Sequence, residues 1–220
     1  MIKASPEFFR TAGNGSLIFL DTPFVSAFTT RLNGVSSGNF SSFNLYFGRG
    51  DKLEDVERNW EILREYLDFN GKIVLPQQIH SSTIKYVPEN LEQGGINHIP
   101  QCDGLITDKK GILTGVMFAD CLPVLIWGTR YAAILHAGWR GLASGIIGNG
   151  VRELISKGEN PSELNAALGP CIAAEDYEVG QEVVRAFTDA GLENAVERSG
   201  SSYSVLFHIY HINGMFRFES

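Results

Sequence analysis

Two apolar segments, Leu122–Trp127 and Tyr131–Leu135, constrain the fold more than any other part of the sequence. Both are rich in aliphatic and aromatic residues and are bounded by turn formers, which is typical of buried strands. We predict that they pair as a β-hairpin through Gly128 and Thr129. Cys121 precedes the first strand and His136 follows the second, so the hairpin brings a thiol and an imidazole to one edge of a sheet.

The composition is that of an ordinary globular protein. The chain has 220 residues, of which 44% are hydrophobic and 20% charged, and folding is expected to bury roughly 70% of the unfolded surface. The net charge is −7, and no cluster of lysine or arginine occurs. Since phosphate backbones are bound by basic surfaces, nucleic acid is not the expected partner. A small molecule is the expected partner.

The N-terminal segment lacks the charged and then apolar pattern of a signal peptide, and no apolar run is long enough to span a bilayer. We therefore expect a cytoplasmic protein with no membrane partner. The three cysteines, Cys102, Cys121 and Cys171, are an odd number without close spacing. This favours reduced thiols over a disulfide framework.

Three helices are predicted from apolar periodicity: Asp51 to Asp68, Trp139 to about Lys157, and Gln181 to Ala190. Asp51 and Glu54 have the spacing of a capping box for the first helix.

Seven further strands are predicted, at 16–20, 24–29, 72–75, 83–87, 103–107, 113–118 and 164–168. The polar region 88–101 indicates an exposed loop, in which His98 has no role. No repeat or linker divides the chain. We predict one α+β domain over residues 1–220, with mixed β-sheets and helices packed on their outer faces.

A glycine- and serine-rich loop runs from Thr29 to Leu45. It is too long for a plain connector, and such loops often carry binding groups. Arg31 and Asn44 are its candidates, although a single loop arginine is also explained as a solvated surface charge.

His80, Cys121 and His136 supply two imidazoles and one thiolate, a ligand set that suits zinc and leaves a fourth position open. Their spacing matches no compact zinc motif, so other interpretations stay open. Cys121 could be a nucleophile activated by His136, with Asp120 or Asp103 orienting the imidazole. Cys121 and His136 could also be core residues, but the charge of Asp120 would be costly to bury there.

After His136 the chain turns through Gly138 into the second predicted helix. Backbone N–H groups at a helix N-terminus, together with Arg140, favour an anion there.

Several motifs in order resemble a known family. They are Thr30-Arg31 through Gly34-Val35-Ser36, Phe43-Asn44-Leu45, Gln78-Ile79-His80, Asp103-Gly104-Leu105, Ala119-Asp120-Cys121, His136-Ala137-Gly138-Trp139-Arg140-Gly141 and Gly169-Pro170-Cys171-Ile172. This combination resembles the YfiH family, also called the multicopper polyphenol oxidase or laccase-domain family. The resemblance runs from about residue 29 to 184.

The resemblance implies a YfiH-like cysteine hydrolase fold and a bacterial cytoplasmic zinc protein with its ligands at His80, Cys121 and His136. It implies phosphorolysis of adenosine, inosine and methylthioadenosine, and deamination of adenosine. The older label of the family is a copper laccase, and some members are linked to peptidoglycan precursor editing.

Histidine content helps to choose among these activities. A multicopper centre needs about ten histidines and a cysteine, whereas the chain has five histidines. Two of them, His208 and His211, lie in the tail. Zinc with hydrolytic or phosphorolytic chemistry is the more economical account.

We therefore predict a zinc-dependent purine nucleoside phosphorylase and adenosine deaminase, with phosphate as the second substrate. The alternatives are a copper polyphenol oxidase and a Cys-His thiol hydrolase or deamidase. The predicted catalytic residues are Asp120, Arg31 and Arg140. The predicted substrate-binding residues are Asn44, Gln78 and Gly138.

The C-terminal segment departs from the family pattern. A Cys-Thr pair and a Ser-Tyr-Arg-Arg-like run are expected there, and neither occurs in this chain. We expect a truncated or altered segment after about residue 200, whose apolar side chains could mediate association.

Overall fold

The computed structural model describes residues 9–92, 95–199 and 202–205. These form two compact units, Met1–Asn70 and Gly71–Ser220, and each is described by itself. Helices and mixed sheets confirm the predicted α+β class. The single domain over residues 1–220 stays a prediction, and most of the altered C-terminal segment lies outside the described residues.

The described part of the first unit contains an antiparallel sheet and one α-helix. Its strands are β1 (Phe9–Ala12), β2 (Leu17–Leu20) and β3 (Ala27–Thr29), in the order β1-β2-β3. The helix, α1 (Leu53–Leu67), buries the predicted apolar stripe through Val56, Trp60 and Leu63.

The predicted cap of α1 is wrong. The N-cap residue is Lys52, which makes no side-chain capping bond. The Asp51 carboxylate instead accepts hydrogen bonds from the Lys52 backbone N–H and from the Asn44 side-chain amide, both at 2.9 Å. Asp51 therefore contacts the preceding loop through Asn44 and does not cap the helix.

The second unit carries eleven described strands and three helices. They are β4 (Lys72–Pro76), β5 (Ile84–Tyr86), β6 (Ile96–Ile99), β7 (Gly104–Thr107), β8 (Ile112–Thr114), β9 (Leu122–Trp127), β10 (Ala132–Ala137), α2 (Trp139–Ala143), α3 (Ile146–Ser156), β11 (Asn165–Leu168), β12 (Glu178–Val179), α4 (Gln181–Asp189), β13 (Val196–Ser199) and β14 (Ser202–Val205). Short 3₁₀ turns join several of them.

Three sheets organise this unit. The largest is mixed, with the order β11-β9-β10-β7-β5, and two three-stranded sheets have the orders β6-β4-β8 and β12-β14-β13. The predicted hairpin is confirmed, because β9 and β10 pair antiparallel with His136 opposite Pro123. All six residues of β9 are buried.

Three predictions fail in this unit. The strand predicted at 113–118 ends at Thr114, as part of β8. The region 88–101 contains β6, which pairs parallel with β4 and carries the exposed His98. The second predicted helix is broken into α2 and α3 at Gly145, whose φ of 78° lies in the left-handed region. Glycine adopts that conformation without steric cost.

The core of the second unit lies between the five-stranded sheet and its helices. Helix α3 packs on β10, β9, β7 and β5. At Gly150 a Cβ atom would lie 2.9 Å from Leu135 Cδ1. A larger residue at this position would have to displace the Leu135 side chain, so glycine allows the close packing of α3 on β10.

Candidate metal centre

One edge of the five-stranded sheet gathers the residues of the site. β5 and β7 run parallel, with Ile84 opposite Gly104, while β10 runs antiparallel to both β7 and β9. The starts of β5, β7 and β9 therefore meet the end of β10. Asp103 directly precedes β7, Cys121 directly precedes β9, and His136 is the second-to-last residue of β10.

The three predicted ligand residues come together at this edge. One ligand atom from each of His80, Cys121 and His136 lies within 4.8 Å of the others. The two imidazole rings meet edge to face, with centroids 4.8 Å apart and planes at 83°. His136 is buried, Cys121 is half-buried and His80 is exposed. The group therefore opens to solvent on the His80 side.

A fully buried carboxylate supports both histidines. Asp103 has 0% exposure, and its Oδ1 lies 2.9 Å from His136 Nδ1. The backbone N–H of His136 also donates to the Asp103 carbonyl at 2.7 Å. Asp103 thus fixes His136 through both its ring and its backbone.

The same carboxylate binds the turn that carries His80. Backbone N–H groups of Ile79, His80 and Ser81 donate to its two oxygens at 3.2, 2.9 and 2.7 Å. The Ser81 hydroxyl donates at 2.8 Å. His80 has a φ of 59°, a left-handed conformation that is uncommon for histidine and needs support from its surroundings.

Charges in the site follow from these contacts. Burial opposes ionisation of Asp103, but hydrogen bonds from His136 and Ser81 outweigh it and lower the pKa of Asp103 to about 2. Burial likewise disfavours the charged form of His136, yet hydrogen bonds to Asp103 and Cys121 raise its pKa to about 9. Partial burial, followed by the charge of His136, lowers the pKa of His80.

The residues fit a metal ion of zinc's type. Since Asp103 occupies Nδ1 of His136, the free ring nitrogen is Nε2. A carboxylate behind a ligating histidine is a common support in zinc sites. Two imidazoles and a thiolate match zinc's donor preference and leave one position open.

Gly138 lies directly against the same group. A Cβ atom there would be 2.9 Å from His80 Cδ2 and 3.2 Å from Cys121 Sγ. The structure therefore gives Gly138 a steric reason to be glycine, next to the predicted ligands. Its proposed contact with substrate stays a prediction.

Two exposed charged residues, Arg140 and Asp120, lie close in sequence to the predicted ligands. Arg140 is exposed, and its guanidinium lies 4.1 Å from the Trp139 ring centroid. Its charge acts on both His80 and Tyr177. Asp120 is also exposed, and its carbonyl accepts a hydrogen bond from Ile172. The helix expected to bind an anion is α2, which has five residues, so the guanidinium is the stronger candidate.

Gln78 is occupied by a structural task. Its side-chain amide donates to the Met117 carbonyl at 2.8 Å and accepts from the Met117 N–H at 2.7 Å. The side chain thereby pairs with backbone as a neighbouring strand would. Its role in substrate binding stays a prediction.

Asn44 and Arg31 belong to the first unit. Asn44 contacts Tyr46 and Asp51, and the Arg31 guanidinium donates to the Ser41 carbonyl at 3.1 and 2.6 Å. Both therefore help to order their own loop. Their predicted roles with substrate are untested.

Sequence reasoning missed the extent of Asp103's contacts and missed Ser81 altogether. Asp103 is the first residue of a predicted strand, and Ser81 directly follows a candidate ligand. Those positions were a usable signal. The pairing of β5 with β7 that joins them was not predictable from either segment alone.

Cys102, Cys121 and Cys171 form no disulfide bond, in agreement with the predicted absence of a disulfide framework. Within the described part of the chain, no helix is long and apolar enough to cross a membrane.

Comparisons with known proteins agree with this architecture. The family described as multi-copper polyphenol oxidoreductase laccase matches residues 25–215. A Corynebacterium glutamicum protein named purine nucleoside phosphorylase is 32% identical over 180 residues, which cover 80% of this chain and 72% of that protein. A protein from an unknown prokaryote named adenosine deaminase RL5 is 32% identical over 175 residues, covering 76% and 66%.

A third relative links sequence and structure. Purine nucleoside phosphorylase YlmD of Geobacillus stearothermophilus is 34% identical over 194 residues, covering 81% of this chain and 69% of the relative. The crystal structure of YlmD from that organism matches with a TM-score of 0.80 at 29% identity, covering 90% of this chain and 79% of that one. The chain thus belongs to the multi-copper polyphenol oxidoreductase laccase family, the YfiH family that its motifs resemble.

Proposed function

We propose that the chain is a zinc-dependent enzyme of purine nucleosides, catalysing phosphorolysis of adenosine, inosine and methylthioadenosine and deamination of adenosine. The observation that carries the proposal is the His80–Cys121–His136 group, with its ligand atoms within 4.8 Å and one side open to solvent. The relatives named purine nucleoside phosphorylase and adenosine deaminase supply the reaction classes.

Zinc is proposed over copper on the chemistry of the donors. Two imidazoles and one thiolate are a typical ligand set for a catalytic zinc with an open position. When bound, zinc supplies Lewis acidity to the reaction. A multicopper centre needs about ten histidines, and the whole chain has five.

Arg140 is the proposed phosphate-binding residue. Its guanidinium is exposed, and its positive charge is close enough to lower the pKa of His80. A planar guanidinium donates two parallel hydrogen bonds to a phosphate group. Arg140 would thus orient phosphate beside the ligand group. Arg31 is also proposed as a catalytic residue.

Asp120 is the proposed proton-transfer residue. Its exposed carboxyl group belongs to the residue directly before Cys121. In phosphorolysis the purine leaves with the electrons of the glycosidic bond and takes up a proton. In deamination the departing ammonia needs one. Asp120 would act first as general base and then as general acid, taking a proton from the attacking water or from dihydrogen phosphate and passing it to the leaving group. Asn44, Gln78 and Gly138 are the proposed substrate contacts.

The test is product analysis with adenosine, with and without inorganic phosphate. Adenine that forms only with phosphate demonstrates phosphorolysis, and inosine that forms without phosphate demonstrates deamination. The proposal expects both products, and expects Cys121→Ala to form neither. If the zinc-loaded protein yields neither product, the proposal is wrong.

A second candidate is a thiol hydrolase. His136 contacts Asp103 through Nδ1, and its ring lies next to Cys121, with ligand atoms of the two residues within 4.8 Å. This is the order of groups in a Cys-His-Asp triad. This candidate predicts activity in metal-free protein and its loss after iodoacetamide treatment. Activity that depends on added zinc excludes it.

A further inference from the structure

We infer that Asp103 is the positioning residue that builds the metal centre, by holding His136 in the tautomer that binds metal through Nε2 and by holding the His80 turn. The inference rests on the proposed metal site. It adds to that proposal a residue that is not itself a ligand, with a stated effect on the two histidines.

The first step concerns the donors that converge on Asp103. His80 N–H and His136 Nδ1 face Oδ1, each at 2.9 Å. The Ile79 and Ser81 N–H groups and the Ser81 hydroxyl face Oδ2. An ionised carboxylate only accepts hydrogen bonds. The Asp103 carboxylate can therefore accept all five hydrogen bonds, whereas the side-chain amide of an asparagine could not.

The second step concerns the tautomer of His136. Because Oδ1 is an acceptor, Nδ1 of His136 must carry its proton. A neutral imidazole with a proton on Nδ1 has its lone pair on Nε2. His136 is 3% exposed, so its ring has little freedom to turn. With Nδ1 held by Asp103, Nε2 is therefore the ring nitrogen that is left for a metal ion.

The third step concerns the His80 turn. Three successive N–H groups, of Ile79, His80 and Ser81, bind one carboxylate while His80 keeps a φ of 59°. Such a conformation persists only where its surroundings hold it. One buried side chain thus links both imidazoles, which come from segments far apart in sequence.

Asp103→Asn tests this account because an amide replaces one oxygen by a donor. If the NH₂ group faces His136, the ring must accept at Nδ1 and carry its proton on Nε2, where the metal would bind. If it faces the turn instead, it opposes the N–H groups of Ile79 and Ser81. Both orientations disturb the centre.

Glu159→Gln is the matched control. Glu159 is 5% exposed, and it accepts hydrogen bonds from three successive N–H groups, those of Thr129, Arg130 and Tyr131. Within the described residues, the hydrogen-bond partners of its side chain are Thr129, Arg130 and Tyr131, and none of them is a histidine. This change removes the same kind of buried carboxylate without touching the ligand group.

The experiment measures zinc affinity by competition with a chromophoric chelator, for the wild-type chain and both variants. We expect Asp103→Asn to weaken zinc binding by about 10- to 100-fold, as for other outer partners of metal ligands. Glu159→Gln should stay within about twofold. Equal affinity of folded Asp103→Asn and wild type, or an equal loss in Glu159→Gln, would overturn the inference.

A second measurement does not depend on the variants folding. Long-range ¹H–¹⁵N spectra of the zinc-loaded wild-type chain should show the His136 proton on Nδ1. A proton on Nε2 overturns the positioning role even if zinc binds. Failure of the wild-type chain to bind zinc overturns the proposed function itself, so the two failures are distinguishable.

Discussion

Asp103 and Glu159 are two buried carboxylates that organise two turns in the same way. Each accepts three successive backbone N–H bonds and one hydroxyl bond, at Ile79–Ser81 for Asp103 and at 129–131 for Glu159. They differ in one partner, since Asp103 also binds a histidine ring. A common structural device thus becomes part of a functional site through a single additional contact.

The largest difference in zinc affinity between the Asp103 and Glu159 regions is expected when the thiol ligand near Asp103 is removed. Cys121→Ala deletes one of three proposed ligands, so zinc affinity should fall by more than about 100-fold, beyond the range for outer partners. Glu159→Gln should bind zinc like the wild type. Isothermal titration of both variants checks this. Equal zinc affinity of Cys121→Ala and wild type would show that Cys121 is not a zinc ligand.

Metal removal should lower the melting temperature of every variant that keeps the three proposed ligands, whether or not Glu159 is changed. With free zinc at 100 times its dissociation constant, the folded chain gains about 2.7 kcal/mol, which corresponds to roughly 5–10 °C for a chain of this size. We expect EDTA to lower the melting temperature of the wild type and of Glu159→Gln by that amount. The control is Cys121→Ala, whose melting temperature EDTA should leave unchanged. An equal fall in the melting temperature of this variant would contradict a metal site at Cys121.

Acid should reveal the structural role of Glu159. Burial opposes its ionisation, but backbone N–H bonds outweigh it and lower its pKa in the folded chain. The folded state therefore binds fewer protons than the unfolded state. Its contribution to stability is complete above the unfolded pKa of about 4.3 and is lost as pH falls through the folded pKa.

Glu159→Gln should accordingly destabilise the chain by about 1–3 kcal/mol at pH 7, and by less at pH 3. Urea unfolding at both pH values measures the difference. A destabilisation that does not change with pH would show that shape, and not charge, is what Glu159 contributes.

The smallest effects are expected at two glycines. In Gly138→Ala the new Cβ would lie 2.9 Å from His80 Cδ2, so the exposed His80 ring must shift and zinc binding should weaken by about tenfold, or 1.4 kcal/mol. Gly148→Ala is the control, because its Cβ meets the flexible end of Arg152 at 3.3 Å.

Gly148 lies inside α3, where alanine is preferred to glycine by about 0.5–1 kcal/mol. Gly148→Ala should therefore raise the melting temperature slightly and leave zinc affinity unchanged. Chelator competition and thermal unfolding report both quantities. Unchanged zinc affinity in Gly138→Ala would mean that the His80 ring adapts without cost.

The parts of the fold that were predicted from sequence are those set by local patterns. The hairpin of β9 and β10 followed from two apolar runs and a turn, and it placed Cys121 near His136. Strand β6 was missed because its Asn97 and His98 interrupt an apolar pattern, and its pairing with β4 decides its conformation. The break at Gly145 was missed because apolar periodicity continues across it.

The ligand residues of the site were predictable from the sequence, whereas the hydrogen bonds that hold them in place were not. His80, Cys121 and His136 were chosen for their chemistry, whereas the bond between Asp103 and the His80 turn depends on the parallel pairing of β5 with β7. Pairing between strands distant in sequence leaves little local trace. The Asp51 cap failed for a similar reason, since Asn44 binds that carboxylate.

Anomalous diffraction from crystals of the zinc-loaded protein, collected on both sides of the zinc absorption edge, tests the central claim most directly. The account predicts one strong zinc peak within bonding distance of His80, of Cys121 Sγ and of His136 Nε2. A peak at another position, or a bare His80–Cys121–His136 group in a zinc-saturated crystal, would contradict it.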